Sequence, residues 1–314
     1  MDATRHPGLQ GLTVFERGWL SSNDVLLHGA DRDEGATLVD SSHCTHAEQT
    51  VALVRRALGD EPLARIVNTH LHSDHCGGNA ALQAAFPGLP VDVPAGSFDA
   101  VNTWDEARLS YRSTGQRCPR FAARGRLEPD RPVAVGGRRW DVIEARGHDP
   151  DAVMLFDARH GVLISADALW RNGFGVVFPE LEGAEAFDEA AAALDAIERL
   201  EPVLVIPGHG APFDDVADAL ARARQRLALW RAEPLRHARH AARVLVKYHL
   251  MEERAMEREA LLDWVAATPL LLTVWRRIGP AAAPSPRAWG EQLLGELVGS
   301  GALREQDGRV IDAA

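Results

Sequence analysis

Cysteine is scarce in this 314-residue chain: Cys44, Cys76 and Cys118 stand far apart in sequence and form no CxxC pair. That spacing argues against a zinc ribbon or a disulfide framework and fits a reducing compartment. Long apolar runs are missing too. No stretch reaches the roughly 18 uninterrupted apolar residues a membrane-spanning helix needs, so no membrane association is expected. The opening MDATRHPGLQGLTVFERGWL lacks a basic segment followed by an apolar one, so no secretory leader is expected and the cytoplasm is the expected compartment. Lysine is nearly absent. Lys247 is the only one, and its replacement by arginine elsewhere fits a GC-rich bacterial genome and says nothing about activity. Tyrosine is limited to Tyr111 and Tyr248.

What is present is ordinary for a globular protein, with 46% hydrophobic and 25% charged residues. The length allows one large catalytic domain and a smaller appendage. The net charge of −11 is unevenly spread. Through Asp214 there are 32 acidic and 19 basic residues; from Asp215 onward there are 13 and 15. A surface of −13 is a poor match for a polyanion, because nucleic-acid binding draws on clustered cations. A small-molecule substrate is therefore expected, and nucleic acid is not.

Through about residue 213, short aliphatic runs alternate with helical stretches. Strands are expected at 13–15, 24–28, 37–40, 65–68, 91–93, 139–144, 153–156, 161–165 and 203–206. Helices are expected at 46–58, 79–85 and 184–200. This mixture predicts helices layered on sheet over residues 1–213. Residues 214–314 read as a mainly helical second domain, with Pro234 interrupting the pattern. Its end, a short helix from Pro286 to Val298 and a hairpin turning at Asp307-Gly308, has the outline of a winged helix, read here as a packing module. That tail is expected to wall the pocket or to make a subunit contact, as in a homodimer.

The chemistry is concentrated in Thr69-His70-Leu71-His72-Ser73-Asp74-His75-Cys76-Gly77-Gly78, directly after the apolar Ile66-Val67. Four potential metal ligands lie within six residues. Alternation after a strand points His70 and His72 the same way, and the following turn brings Asp74 and His75 to a neighbouring point. Gly77 and Gly78 are expected to allow a tight backbone into the next helix, and Cys76 is expected to pack there as a small residue. Three more residues share the setting of an apolar strand that stops: His148 after VIEARG, Asp167 at the end of GVLISAD, and His209 after VLVIPG. Imidazole and carboxylate together suit zinc, iron or manganese, and the lack of thiolate argues against a closed structural zinc site.

HLHSDH followed by GH, AD and PGHG at these intervals resembles the metallo-β-lactamase fold superfamily, over about residues 10–213. The resemblance implies an αββα sandwich with the site along one edge, holding two divalent metal ions, zinc first, with iron or manganese as alternatives. It implies His70, His72 and His148 on one ion, Asp74, His75 and His209 on the other, and Asp167 bridging. Asp40, ending Thr37-Leu38-Val39, matches the family's early aspartate, which supports the ligands from behind. By the same resemblance a shared water becomes nucleophilic near neutral pH, with Asp74 orienting it or moving its proton.

A bridging Asp167 argues against β-lactam hydrolysis, since those enzymes typically lack that carboxylate. Hydroxyacylglutathione hydrolases share all seven ligands, but their usual GHTPG reads Gly147-His148-Asp149-Pro150-Asp151 here, placing two further carboxylates close to the site. Acyl-homoserine lactonases usually carry a tyrosine shortly after the bridging aspartate, where this chain has Ala168-Leu169-Trp170. A small ester, thioester or lactone is the expected substrate. Trp170, Phe174 and Phe178 follow the bridging aspartate and are expected to line its pocket, with Trp104 a weaker candidate. The tail also resembles that of the β-lactamase-like protein 2 group, within which RNA cleavage is known. The alternative is therefore an endoribonuclease or phosphodiesterase using the same two metals, with arginines 222, 224, 226, 231, 236, 239 and 243 as its basic face.

Overall fold

The computed structural model describes residues 6–279 and 283–313. Two sheets lie face to face. The first runs in the order β1 (Leu12–Phe15), β2 (Asp24–Leu27), β3 (Ala36–Val39), β4 (Leu63–Val67), β5 (Val91–Pro94) and β6 (Gly125–Leu127). β1 to β3 pair antiparallel, and β3 to β6 pair parallel. The second sheet contains β7 (Val133–Val135), β8 (Arg138–Glu144), β9 (Val153–Asp157), β10 (Val162–Ala166) and β11 (Leu204–Pro207). Its order is β11-β10-β9-β8-β7, antiparallel except for the parallel pair β10–β11.

The strands read as unbroken apolar runs because both of their faces are covered. Alternation then sorts each run between two cores. Val25, Leu27, Val39 and Val67 meet Leu155, Val162, Ile164 and Ile206 between the sheets. The alternate residues Leu26, Leu38 and Ile66 face outward against Val54 and Leu58 of α1 (Ala47–Leu58) and Leu82 of α3 (Asn79–Ala85). The one-turn α2 (Ser73–Cys76) precedes α3, and α4 (Phe98–Thr103) and α5 (Tyr111–Thr114) follow it. On the opposite side, Met154, Phe156, Leu163 and Val205 pack under α7 (Ala186–Leu200), which follows the short α6 (Phe178–Leu181). The αββα sandwich is thus present. All nine expected strands form within a residue or two. β6 and β7, three residues each, were not foreseen, because segments that short carry no readable period.

α8 (Val216–Ala232) completes the outer helical layer. Its Ala219, Leu220, Ala223, Leu227 and Trp230 belong to the same core as Phe156 and Phe187, so the sandwich's packing runs on past Phe213. Pro234 separates α8 from α9 (Pro234–Glu253) and occupies the first turn of the new helix, where its missing N–H costs nothing. A further core joins Leu245, Val246 and Leu250 of α9 to α10 (Arg258–Ala267), α11 (Pro269–Ile278) and α12 (Pro286–Gly299). β13 (Leu303–Gln306) and β14 (Arg309–Asp312) form the expected hairpin, with Asp307 and Gly308 at φ 51° and 78° as a primed turn requires. A strand not foreseen, β12 (Ala255–Glu257), pairs with β14. The tail thus runs strand, three helices, hairpin after α9.

Candidate metal centre

The seven expected ligands come together at one edge of the sandwich, from both sheets. His148, Asp167 and His209 follow strands of the second sheet, β8, β10 and β11. His70 and His72 follow β4 of the first, and α2 carries Asp74 and His75. Backbone bonds stitch the two edges: Asn23 N donates to Gly208 O at 2.7 Å and Val153 N to Thr69 O at 2.9 Å.

Within the site two groups form. His72 Nδ1 lies 3.1 Å from His70 Nε2 and 2.7 Å from His148 Nε2. In the second group, Asp74 Oδ2 is 3.1 Å from His209 Nε2 and 3.8 Å from His75 Nε2. Asp167 Oδ1 is 3.4 Å from His75 Nε2, while its Oδ2 is 3.3 Å from His148 Nε2. One carboxylate therefore presents an oxygen to each group. All seven side chains are buried.

Electrostatics separates the groups. Burial, reinforced by His148, pushes His72 down to about 3, and burial with three neighbouring imidazoles holds His70 well below its usual range. These rings are neutral, and their nitrogens converge at hydrogen-bond distance. Burial alone would lower His75, but Asp167, Asp40 and Asp74 raise it well above its usual value. Burial alone would raise Asp74 and Asp167, yet His75 and His209 hold Asp74 at about 2 and Asp167 well below the carboxylate range. His75 Nε2 is buried and makes no hydrogen bond, although it faces two carboxylates. Converging lone pairs, two carboxylates and an orphaned ring nitrogen fit a pair of cations. His70, His72 and His148 could hold one ion, and Asp74, His75, Asp167 and His209 another.

Asp40 sits behind this site at φ 59°, buried. It accepts from Thr69 N at 2.8 Å, Thr69 Oγ1 at 2.7 Å and His75 Nδ1 at 2.8 Å. The last bond places a proton on His75 Nδ1 and fixes the ring so that Nε2 faces Asp74 and Asp167. His148 Nδ1 likewise donates to Val176 O at 2.6 Å. Gly77 and Gly78 have ordinary helical φ angles of −62° and −83°, so the tightness expected there does not come from unusual dihedrals. The requirement is proximity: a Cβ on Gly78 would lie 2.2 Å from Ser41 O, and one on Gly208 would lie 2.2 Å from Asp167 Oδ1. Cys76 is fully buried, with its Sγ 3.3 Å from His72 O, a packing position.

A cavity of about 850 Å³ opens onto the site. Trp170, Phe174 and Phe178 all line it. Trp170 Nε1 donates to Asp167 Oδ1 at 3.1 Å, and the Phe178 ring lies 5.2 Å from that of His72. Phe174 is also part of the core, edge-on to Trp230 at 5.1 Å. Trp104 is not in the cavity; it packs on Tyr111 and Phe121 beneath the first sheet. Of the two extra carboxylates, Asp149 stands 3.9 Å from His72 Nε2, and burial raises it to about 7. Asp151 turns away and accepts from Ser97 Oγ at 2.8 Å, so only one of the pair is beside the ligands.

Two wall residues escaped the sequence reading. Trp19, 61% exposed, stacks on His209 at 5.4 Å and meets Trp170 edge-on at 5.5 Å. Tyr248 reaches the cavity from α9 and shares a 2.8 Å hydrogen bond with Ser73 Oγ, beside Asp74. Its scarcity in the chain was the available signal; its approach from 175 residues away was not readable.

Residues 17–209 match the Metallo-beta-lactamase superfamily model, and the chain belongs to that superfamily. It is 34% identical over 167 residues to a hydroxyacylglutathione hydrolase of Gloeobacter violaceus, covering 53% of this chain and 57% of that one. It is 30% identical over 148 residues to the Stenotrophomonas maltophilia protein of the same name, covering 47% of each. The chain thus spans about half the length of the curated relatives it matches. Among solved structures, a beta-lactamase domain protein from Burkholderia ambifaria aligns over 97% of this chain and 93% of its own, with TM-score 0.58 and 23% identity. A metallo-beta-lactamase family protein from Thermus thermophilus covers 97% and 99%, with TM-score 0.54 and 20% identity. These two likenesses concern the fold, and both extend through the tail. Among the described residues no helix is long and apolar enough to cross a membrane.

Proposed function

We propose that the protein is a dinuclear metallo-hydrolase of a small ester, thioester or lactone, with His70, His72 and His148 holding one ion, Asp74, His75 and His209 the other, and Asp167 shared. The observation that carries the proposal is the Asp167 carboxylate, with one oxygen 3.4 Å from His75 Nε2 and the other 3.3 Å from His148 Nε2. When bound, two divalent ions, zinc first, would polarise the substrate's carbonyl oxygen and make water acidic enough to attack near neutral pH.

The chain's own groups do the rest. Asp74, its Oδ2 3.1 Å from His209 Nε2 and its carboxyl held ionised at neutral pH, is placed to accept the proton of the attacking water. Trp19, Trp170 and Phe178 form an apolar wall that orients an acyl chain and excludes water from the scissile bond. The hydroxyacylglutathione hydrolases among the relatives support a thioester within this class.

The nuclease alternative is disfavoured by four of the seven arginines it would need. Arg222 is paired with Asp215, Arg224 with Asp195 and Glu198, Arg231 with Asp188 and Arg236 with Glu233. A paired arginine is a weak partner for phosphate. The test is turnover of thioesters, esters and lactones against single-stranded RNA, after loading with zinc, iron or manganese. Carbonyl substrates alone should be cleaved; preferential RNA cleavage would overturn the proposal.

A further inference from the structure

The cavity has a second chemical character at its far wall. Arg226 of α8 and Arg243 of α9 line it, and among the described residues neither has a hydrogen-bond or ion-pair partner. That is unusual here, since the neighbouring arginines of α8 are matched to acids. The other cationic side chains of the wall are also accounted for: Arg171 pairs with Asp215, and Lys247 pairs with Asp312 while donating to Ala302 O at 2.8 Å. His240 lines the same wall as an exposed residue.

Arg226 is half-buried over Gly173, where an added Cβ would fall 2.3 Å from Nη1, and its guanidinium carbon lies 5.9 Å from the Trp230 ring. Burial lowers its pKa, with no carboxylate to offset the loss of hydration. A half-buried charge without a counter-ion is costly unless a ligand supplies one. The acids in the cavity lining, Asp74 and Asp167, sit at the metal end, among the ligand residues.

Resting on the hydrolase reading above, we infer that Arg226 and Arg243 form an anion-binding end of the cavity, and that the substrate is an apolar acyl compound carrying a carboxylate or phosphate remote from the bond that is cut. The reacting carbonyl lies at the histidine–aspartate edge, the apolar middle runs along Trp19, Trp170 and Val244, and the anion ends between the two guanidiniums. Guanidinium forks suit both oxyanions and form charge-assisted bonds with either.

The test uses benzoyl thioesters of ω-mercaptoalkanoates of increasing length, their uncharged methyl-ester twins, and the corresponding mercaptoalkyl phosphates. Thiol release is followed by the metal-loaded full-length protein. Non-hydrolysable thioether analogues are titrated in parallel against the fluorescence of the wall tryptophans. One chain length should be optimal, and there the anionic compound should have a KM about 10- to 100-fold below that of its neutral twin. Arg226→Gln with Arg243→Gln should abolish this preference in both turnover and binding, whereas Arg239→Gln, a loss of charge on α9 outside the cavity lining, should preserve it. A preference for the phosphate or for the carboxylate series identifies the source of the anion, and either supports the inference. Neutral twins bound as tightly as anions, or a preference that survives the double substitution, would overturn it. If no thioester is cleaved, the thioester part of the hydrolase reading fails, and the thioether titration still decides the anion site.

Discussion

Replacing Asp40 by asparagine isolates the role of the buried carboxylate behind the site. Asparagine is close to isosteric and tolerates the left-handed φ of 59° that most residues would not, so the backbone is undisturbed. What changes is acceptor capacity. Asp40 takes three hydrogen bonds, from Thr69 N, Thr69 Oγ1 and His75 Nδ1, each at 2.7–2.8 Å. An amide keeps one oxygen, which can stay on Thr69 N, and turns its NH₂ toward His75 Nδ1–H, donor against donor. Loss of a hydrogen bond to a charged group is worth about 1.5–3 kcal/mol, and substitutions behind a ligand cost roughly 10- to 100-fold in metal affinity. The loss should fall on one ion. Competition with a chromophoric chelator should show about 10- to 100-fold weaker binding at the Asp74/His75/His209 position, with the three-histidine position changed by less than about threefold. Equal weakening of both positions, or none, would refute the reasoning, because His70 reaches Asp40 only through Thr69 Oγ1, at 3.2 Å.

Asp167→Ala should reduce bound metal from two ions to one and lower turnover by about two orders of magnitude or more; two retained ions with near-normal rates would show that the carboxylate is not shared. Cutting the chain after Asp214 should yield insoluble protein, because α8 supplies Leu220, Leu227 and Trp230 to the sandwich core, whereas ending it after Glu233 should preserve metal binding. RNA affinity of the full chain should stay weak in filter-binding assays, and a salt-sensitive submicromolar affinity lost on removing α9 onward would reverse that view. Asp24 supplies a pH test: burial raises its carboxyl from 3.8 to about 7. Its ionisation is therefore harder in the folded chain, and stability should fall as pH rises from about 4 to 7, by a few kcal/mol at most. In metal-free protein, Asp24→Asn should melt several degrees higher at pH 8 and equally near pH 4; a pH-independent difference would exclude Asp24 as the source.

Most of the edge carrying the site was legible in sequence because all the ligands but Asp74 and His75 follow an apolar strand that stops. His70 and His72 follow Val67 of β4, Asp167 follows Ala166 of β10, and His209 follows Pro207 of β11. Short unbroken aliphatic runs identified those strands, and the sandwich follows from their being apolar on both faces. What was not legible depended on contacts distant in sequence. Trp19 lies between two strands in a stretch without periodicity, and only the fold stacks it on His209. Tyr248 lies one residue past Lys247 on a helix whose buried stripe predicts packing, not a cavity. Gly78 is legible as a tight joint, but sequence gives no measure of how closely Ser41 O approaches. Trp104 failed as a pocket candidate because an aromatic in an irregular stretch is as easily drawn under a sheet.

The two ends of the cavity belong to different parts of the chain. Its reacting edge is built from the strand ends of the sandwich, and its opposite wall comes largely from one face of α9, which anchors its other face on α10, α11 and α12. Drift at Arg243, Val244 or Tyr248 can therefore reshape what enters while leaving every ligand in place. Lineages that share this frame are free to diverge in diet without relearning how to cut a bond, and the place to read that divergence is the exposed face of a single helix.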